Sequence, residues 1–387
     1  MKTLLVFTFC YIGFFAHSNH SIIPEPFSYE KIKGTLISNG FHFKDNSKLK
    51  KVKYAKTIFT EYLKSIQIST EGSTAIELNY SNSIKNKEGY SLEVNSKGIS
   101  IGASDFGGFH NALQTVKQLL PTKLSSKPIE IPFCKIIDKP RFEWRGLMLD
   151  VSRHFFSVEE VKDYINKMSE FKFNKFHWHL TDDEGWRIEI KSLPKLTEIG
   201  AWRGERNGRF GEHRPAPTVN EPKTYGGFYT QNEIKEVVEF AQKRNITIIP
   251  EIDVPGHSMA LLAAYPELST KKEITQVSVG HKFAEWFGDG SFKMYTENML
   301  NPAEEKVYTT LDKIYSEIAN LFPGEYIHMG GDECYKGYWE KSNEVKNFMK
   351  KNKMENMHDL QAHFIDRVQK IIESKGKKMI GWDEITE

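Results

Sequence analysis

From Arg141 onward, short and nearly continuous apolar runs alternate with longer stretches whose apolar residues recur at helical spacing. The runs fall at 145–152, 175–181, 246–253, 326–331 and 378–382. Between them, Ser157 with Glu160 and Thr230 with Glu233 form capping boxes, the first ahead of the stripe Val158, Val161, Ile165 and Met168. Asn301-Pro302 predicts another helix start, with Pro at the first helical position and a stripe of Val307, Leu311, Ile314 and Ile318. A last helix is expected from about 358 to 375, stopped by Gly376. Apolar strands alternating with helices demand a parallel sheet covered on both faces, either doubly wound or a (β/α)8 barrel. No glycine-rich dinucleotide or phosphate loop follows the first run, which weakens the doubly wound nucleotide-binding option. Polar residues gather after all five runs, where barrel enzymes keep their chemistry. The fold class expected is α/β, a TIM barrel truncated after about five strands, with residues 140–387 as a fragment of that catalytic domain.

A different pattern precedes it. Over 19–139 the alternation Ala75-Ile76-Glu77-Leu78-Asn79-Tyr80 reads as a half-buried strand. Tyr90 to Val94 and Ile99 to Ala103 flank Asn95-Ser96-Lys97-Gly98 as a hairpin. Phe109, Ala112, Leu113, Val116, Leu119 and Leu120 then keep helical spacing. This predicts a small α/β accessory domain with an antiparallel sheet and at least one covering helix. Nothing in it looks catalytic.

Residues 1–18 read as a secretory signal: Lys2, an apolar stretch from Leu4 to Phe15, and Ala16-His17-Ser18 as a small-x-small cleavage site. Export to a periplasmic, extracellular or lysosome-like space is expected, with no membrane attachment after cleavage. Cys134 and Cys334 would remain, too few for a disulfide framework. A net charge of +2 over 387 residues argues against a nucleic-acid partner.

The chemistry sits at the ends of the runs. The fourth passes through Ile327-His328-Met329-Gly330-Gly331 into Asp332-Glu333, two adjacent carboxylates beside backbone that carries no side chains. Asp182 follows the second run and His257 the third, so neighbouring parallel strands can line up a carboxylate–imidazole–carboxylate chain ending at Glu333. The proximity of Asp332 is expected to raise the cost of ionising both acids and keep one proton available. Arg153 offers a planar fork to two sugar hydroxyls, or else a salt bridge at the rim. Trp382 reads equally as packing or as a wall of the site. Paired acids suit a glycosidase, with either a carboxylate nucleophile or the substrate's own 2-acetamido oxygen.

Arg145-Gly146, Asp150-Val151-Ser152-Arg153-His154, His177-Trp178-His179-Leu180-Thr181-Asp182-Asp183, Pro250-Glu251-Ile252-Asp253-Val254-Pro255-Gly256-His257, His328-Met329-Gly330-Gly331-Asp332-Glu333 and Gly381-Trp382-Asp383-Glu384 occur in this order. Together they resemble glycoside hydrolase family 20, the β-N-acetylhexosaminidases, and 19–139 is similar to the domain preceding that family's barrel. The resemblance implies Glu333 as general acid/base and Asp332 as the residue steering the acetamide, with Asp182 and His257 supporting Glu333. It implies Arg153 on sugar hydroxyls and Trp382 in the acetamide pocket; His179 is expected to join them in binding substrate. The substrates implied are N-acetylhexosamine-containing oligosaccharides or glycoconjugates, with no metal and no cofactor. Two rivals remain: a non-catalytic sugar-binding or inactive fragment, and a metal-dependent hydrolase using His177, His179, His257 and Asp253. Cys334 reads as a buried, inert thiol rather than a nucleophile.

Overall fold

The computed structural model describes residues 21–121, 128–208, 214–218, 220–273, 275–282, 284–289 and 292–386. The expected signal segment 1–18 therefore lies outside the described residues. The chain divides into two compact units, 1–141 and 142–387.

Among the described residues, the first unit is one six-stranded sheet with two helices. Its strands are β1 (Ser28–Ser38), β2 (Gly40–Asn46), β3 (Ser69–Tyr80), β4 (Tyr90–Asn95), β5 (Gly98–Ala103) and β6 (Ile129–Asp138), in the order β1-β6-β4-β5-β3-β2. The expected hairpin is present, with Asn95 paired to Gly98 across a two-residue turn. The sheet is mixed, which corrects the antiparallel expectation: β2 and β3 pair in parallel, as do β3 and β5. The reason is a helix that periodicity had not flagged, α1 (Val52–Ser65), which joins β2 to β3 as a crossover and so returns the chain in the same direction. Its signal was present, because Val52, Ala55, Phe59 and Leu63 are its buried stripe. The helix α2 (Phe106–Leu119) covers the same core, and Asp105 caps it by accepting from Gly108 N–H.

The second unit contains a five-stranded, wholly parallel sheet in sequence order: β7 (Gly146–Asp150), β8 (Lys175–His179), β9 (Thr247–Glu251), β10 (Tyr326–His328) and β11 (Lys378–Ile380). Four helices alternate with these strands: α3 (Val158–Glu170), α4 (Gln231–Gln242), α5 (Glu305–Leu321) and α6 (Met357–Ser374). Both expected capping boxes are formed, Ser157 with Glu160 and Thr230 with Glu233. In α3, Val161, Ile165 and Met168 are buried, each stabilising by about 1.5–3 kcal/mol. The helix predicted at Pro302 begins instead at Glu305. Asn301 is fully buried, and its Oδ1 accepts from Ala303 N–H to hold 301–304 as a turn. Gly376, at φ +72°, follows the end of α6.

Alternation along β8 decides which residues face the helices. Phe176 and Trp178 stack at 5.7 Å and belong to the apolar core shared with α3, α4 and α5. Their neighbours His177 and His179 consequently point to the other face.

Candidate active site

Asp150, His179, Glu251 and His328 are register partners across β7, β8, β9 and β10, so the last residues of four strands form one polar row. Glu251 lies at its middle and is fully buried. Its Oε2 is 2.6 Å from both His177 Nε2 and His179 Nδ1, and its Oε1 accepts from the Trp382 indole N–H at 3.0 Å. His328 Nδ1 also lies 3.1 Å from Oε1, but that nitrogen accepts the Gly330 N–H at 3.0 Å and has no proton to offer. Burial opposes ionisation of Glu251, yet the bonds from His177 and His179 outweigh it and hold the carboxyl far below its usual range.

His179 turns its second nitrogen to Asp182, with Nε2 at 2.8 Å from Oδ2. Asp182 is 1% exposed and sits in a two-residue strand, Thr181–Asp182, paired with Gly185–Trp186. Its other oxygen meets His257 Nδ1 at 3.1 Å, and His257 Nε2 then faces Glu333 Oε2 at 3.4 Å and Asp332 Oδ2 at 3.7 Å. Burial would depress His257, but Asp182 and Glu333 raise it well above the ordinary imidazole value. Burial likewise penalises the Asp182 anion, and His257, His179 and Arg153 overcome it, holding the carboxyl well below normal. The sequence-predicted chain of Asp182, His257 and Glu333 is thus assembled, with Asp332 at its end.

The backbone that delivers these groups is unusual. His257 and Glu333 adopt φ of +50° and +45°, a region costly for residues with a Cβ and typical of functional loops. Gly330 has φ +72°, and a Cβ there would run into the Asp253 carboxylate. Two glycines ahead of the acid pair are what let the chain turn from β10 into the site.

One electrostatic expectation is overturned. Asp332 does not raise Glu333: His257, whose Nε2 lies 3.4 Å from Oε2, lowers the Glu333 pKa, with burial opposing. The Glu333 side chain is 71% exposed, so the desolvation needed to retain a proton is weak in the ligand-free site. The acid that is raised is Asp253 instead: burial, with Asp182 and Asp332 adding repulsion, lifts it well above the carboxylate range despite His257.

Arg153 follows β7 and gathers acids. Its Nη1 is 2.6 Å from Asp182 Oδ2 and 3.1 Å from Asp150 Oδ2, and its Nε is 3.3 Å from Glu184 Oε2. Both the salt-bridge and hydroxyl-fork readings survive, since the side chain remains 40% exposed. Burial and the neighbouring Asp182 and Asp183 push Glu184 up to about 7. Trp382 follows β11 and packs against His328 and His177 at ring distances of 5.0 and 5.6 Å. Burial pushes the Cys334 thiol up to about 12, which disfavours the thiolate that a nucleophile would need.

Sequence reasoning gave no role to Glu251, Glu184 or Arg187, and named Asp253 only as a possible metal ligand. Glu251 had a signal, a single acid closing the apolar run Ile246 to Pro250. Arg187 had none: it is fully buried in a loop and, among the described residues, donates to the backbone carbonyls of Val151, Ser152, Glu184, Ala201 and Gly227. Four trios of histidines and acids among the described residues bring one ligand atom each within 4.8 Å. None unites His177 with His257 or Asp253. In the trio His177, Glu251 and His328, the 2.6 Å separation of His177 and Glu251 is a hydrogen-bonding one. Tetrahedral zinc keeps ligand atoms about 3.3 Å apart.

Residues 142–387 match the model of "Glycosyl hydrolase family 20, catalytic domain", and 19–139 match "Glycosyl hydrolase family 20, domain 2". A beta-hexosaminidase of Porphyromonas gingivalis is 40% identical over 307 residues, 78% of this chain and 36% of that protein. One from Vibrio furnissii is 42% identical over 302 residues, 76% of this chain and 45% of that protein. The crystal structure of a GH20 exo beta-N-acetylglucosaminidase from Vibrio harveyi in complex with N-acetylglucosamine superposes with a TM-score of 0.78 at 38% identity, over 94% of this chain and 55% of that one. The chain therefore spans roughly half or less of the length of these curated relatives.

Proposed function

Because the chain belongs to glycosyl hydrolase family 20, we propose that it hydrolyses terminal, non-reducing N-acetylhexosamine residues of oligosaccharides and glycoconjugates. The configuration is retained, and the nucleophile is the sugar's own 2-acetamido oxygen, which closes on the anomeric carbon to an oxazolinium. Glu333 gives its proton to the glycosidic oxygen as that bond breaks, and its carboxylate later takes one from the water that opens the ring. Asp332 accepts from the acetamide N–H and balances the charge that develops on the ring. Arg153 and His179 bind sugar hydroxyls, and Trp382 walls the acetamide methyl. The reading calls on no metal and no cofactor.

The observation that carries it is His257, held between buried Asp182 at 3.1 Å and the Asp332-Glu333 pair at 3.7 and 3.4 Å. With His257 cationic and Glu333 ionised, the proton required for catalysis is held on His257 Nε2, 3.4 Å from Glu333 Oε2. A sugar covering Glu333 removes water from it, which disfavours the anion and draws that proton across. The five strands read as an arc of a (β/α)8 barrel; their sequential parallel order and the share of the relatives that is matched support this. The charged and apolar opening of residues 1–18 supports export.

The deciding experiment compares hydrolysis of an aryl N-acetylglucosaminide by the wild-type protein and Asp332→Asn, with inhibition by a thiazoline mimic of the cyclised sugar. Expected are a loss of about 10²-fold or more in kcat for the variant and far tighter binding of the thiazoline than of N-acetylglucosamine. A variant at nearly full rate, or indifference to the thiazoline, refutes participation by the substrate.

A further inference from the structure

Glu251 has no task in the reaction just described, yet it accepts hydrogen bonds from three side chains, His177, His179 and Trp382. It touches two residues that the proposed reaction uses, from opposite ends of one side chain. Oε2 is 2.6 Å from His179 Nδ1, and Oε1 is 3.0 Å from Trp382 Nε1. Glu251 is fully buried, on the middle strand of the sheet. We propose that Glu251 is a positioning residue that sets two walls of the site at once, holding His179 as an imidazolium aimed at Asp182 and anchoring the Trp382 indole.

The argument is one of proton counting. A carboxylate only accepts, so a nitrogen within 2.8 Å of one carries its hydrogen toward it. His179 faces Glu251 with Nδ1 at 2.6 Å and Asp182 with Nε2 at 2.8 Å; Arg153 Nη1 also lies 3.1 Å from Nε2, but it stands nearer Asp182 Oδ2, at 2.6 Å, and its hydrogen goes there, which leaves both imidazole nitrogens to carry protons toward carboxylates. The ionisable groups around His179 are Glu251 from β9, Asp253 just beyond it and raised by burial, Asp182 beyond β8 and Arg153 beyond β7, so that the carboxylates outnumber the one guanidinium. His177, on the same strand, gives Glu251 its Nε2 hydrogen at 2.6 Å and needs only one proton. The indole has a single N–H, and spending it on Glu251 fixes the ring plane against His328 and His177. Only a carboxylate accepts at both ends; the amide of glutamine would turn its NH₂ toward either the imidazoles or the indole and meet a hydrogen with a hydrogen. Glu251 thus governs Asp182, and through it His257, without touching sugar. This role rests on the hydrolytic reading, since Trp382 and the relay have work only there.

The test reads histidine side-chain nitrogens and the indole proton by NMR, in the wild-type protein and in Glu251→Gln, beside hydrolysis of an aryl N-acetylglucosaminide. In the wild type, His179 shows two protonated nitrogens from pH 6 to 8.5 without titrating, His177 shows one, and the Trp382 indole proton lies downfield. In Glu251→Gln, the His179 signal titrates within that window, the indole proton moves upfield, and kcat/KM falls about 10–100-fold, as when a carboxylate behind a working imidazole is removed. A wild-type His179 titrating near the free value of about 6.5 overturns the proposal. That measurement decides even if the variant does not fold. A folded variant with an unmoved indole proton, or with undiminished hydrolysis, also overturns it. A wild type whose resonances behave as stated but which hydrolyses no N-acetylhexosaminide sinks the hydrolytic reading and leaves the proton assignment of Glu251 intact.

Discussion

Asp182→Asn removes one charge and almost no volume, at a group that is 1% exposed and touches His257 at 3.1 Å, His179 at 2.8 Å and Arg153 at 2.6 Å. At an effective dielectric constant of 20, a unit pair 3.1 Å apart attracts by about 5 kcal/mol. Even a third of that, about 2 kcal/mol, moves the His257 pKa down by more than one unit. The amide cannot serve as acceptor at both oxygens, so His257 loses its partner or keeps it neutral. We expect kcat/KM for a substrate with a poor leaving group to fall about 10²–10³-fold, and far less for an activated aryl leaving group. Stability supplies an independent check. His257 is raised in the folded protein, so its contribution is fully present below its unfolded value of about 6.5 and is lost as pH rises through the folded value. Asp182 is depressed, so its contribution is present above about 3.9 and is lost as pH falls through the folded value. Both contributions are therefore whole between about pH 4 and 6.5, and wild-type stability should decline on either side of that window. Melting temperatures of the two proteins across pH 3.5–9 would show the variant's curve flatter. A variant within threefold of wild-type rate whose melting curve keeps the same pH shape would refute the relay.

Glu333→Gln should abolish nearly all turnover of poor leaving groups, a loss of about 10³-fold or more, while leaving the melting temperature nearly unchanged because the side chain is 71% exposed. Rates on an alkyl and a dinitrophenyl N-acetylglucosaminide would show the dependence. Trp382→Ala should narrow the preference for N-acetylated over plain sugars by about 10-fold, measured as the ratio of kcat/KM for the paired aryl glycosides. Gly330→Ala should destabilise by about 2–3 kcal/mol or prevent folding, since φ is +72° and the new Cβ strikes Asp253; an unchanged denaturation midpoint would contradict that geometry.

Where local physics suffices, sequence and structure agree. Ser157 with Glu160, Thr230 with Glu233, and the turn between Asn95 and Gly98 are settled by residues within a few positions of one another. The parallel order of β7 to β11 was legible as well, because helices between apolar runs leave the chain little choice. The misses share another cause. The antiparallel expectation for the first sheet failed because strand direction depends on the path between strands, and α1 had been overlooked. The start of α5 failed because Asn301 answers to distant partners, Leu268 O and Glu344, rather than to the helix after it.

By itself, the sequence determined which side chains end up at the strand ends, since an alternation of two and a β-strand's direction are properties of the local chain. It thereby determined that Asp182, His257, Asp332 and Glu333 share a neighbourhood. Only the tertiary structure decided their charges. Whether an acid keeps its proton depends on how much water it has lost and which ions face it from other strands. That is why exposed Glu333 is lowered beside His257 while buried Asp253 is raised, and why Glu251, one acid in an apolar run, stands at the centre of the row.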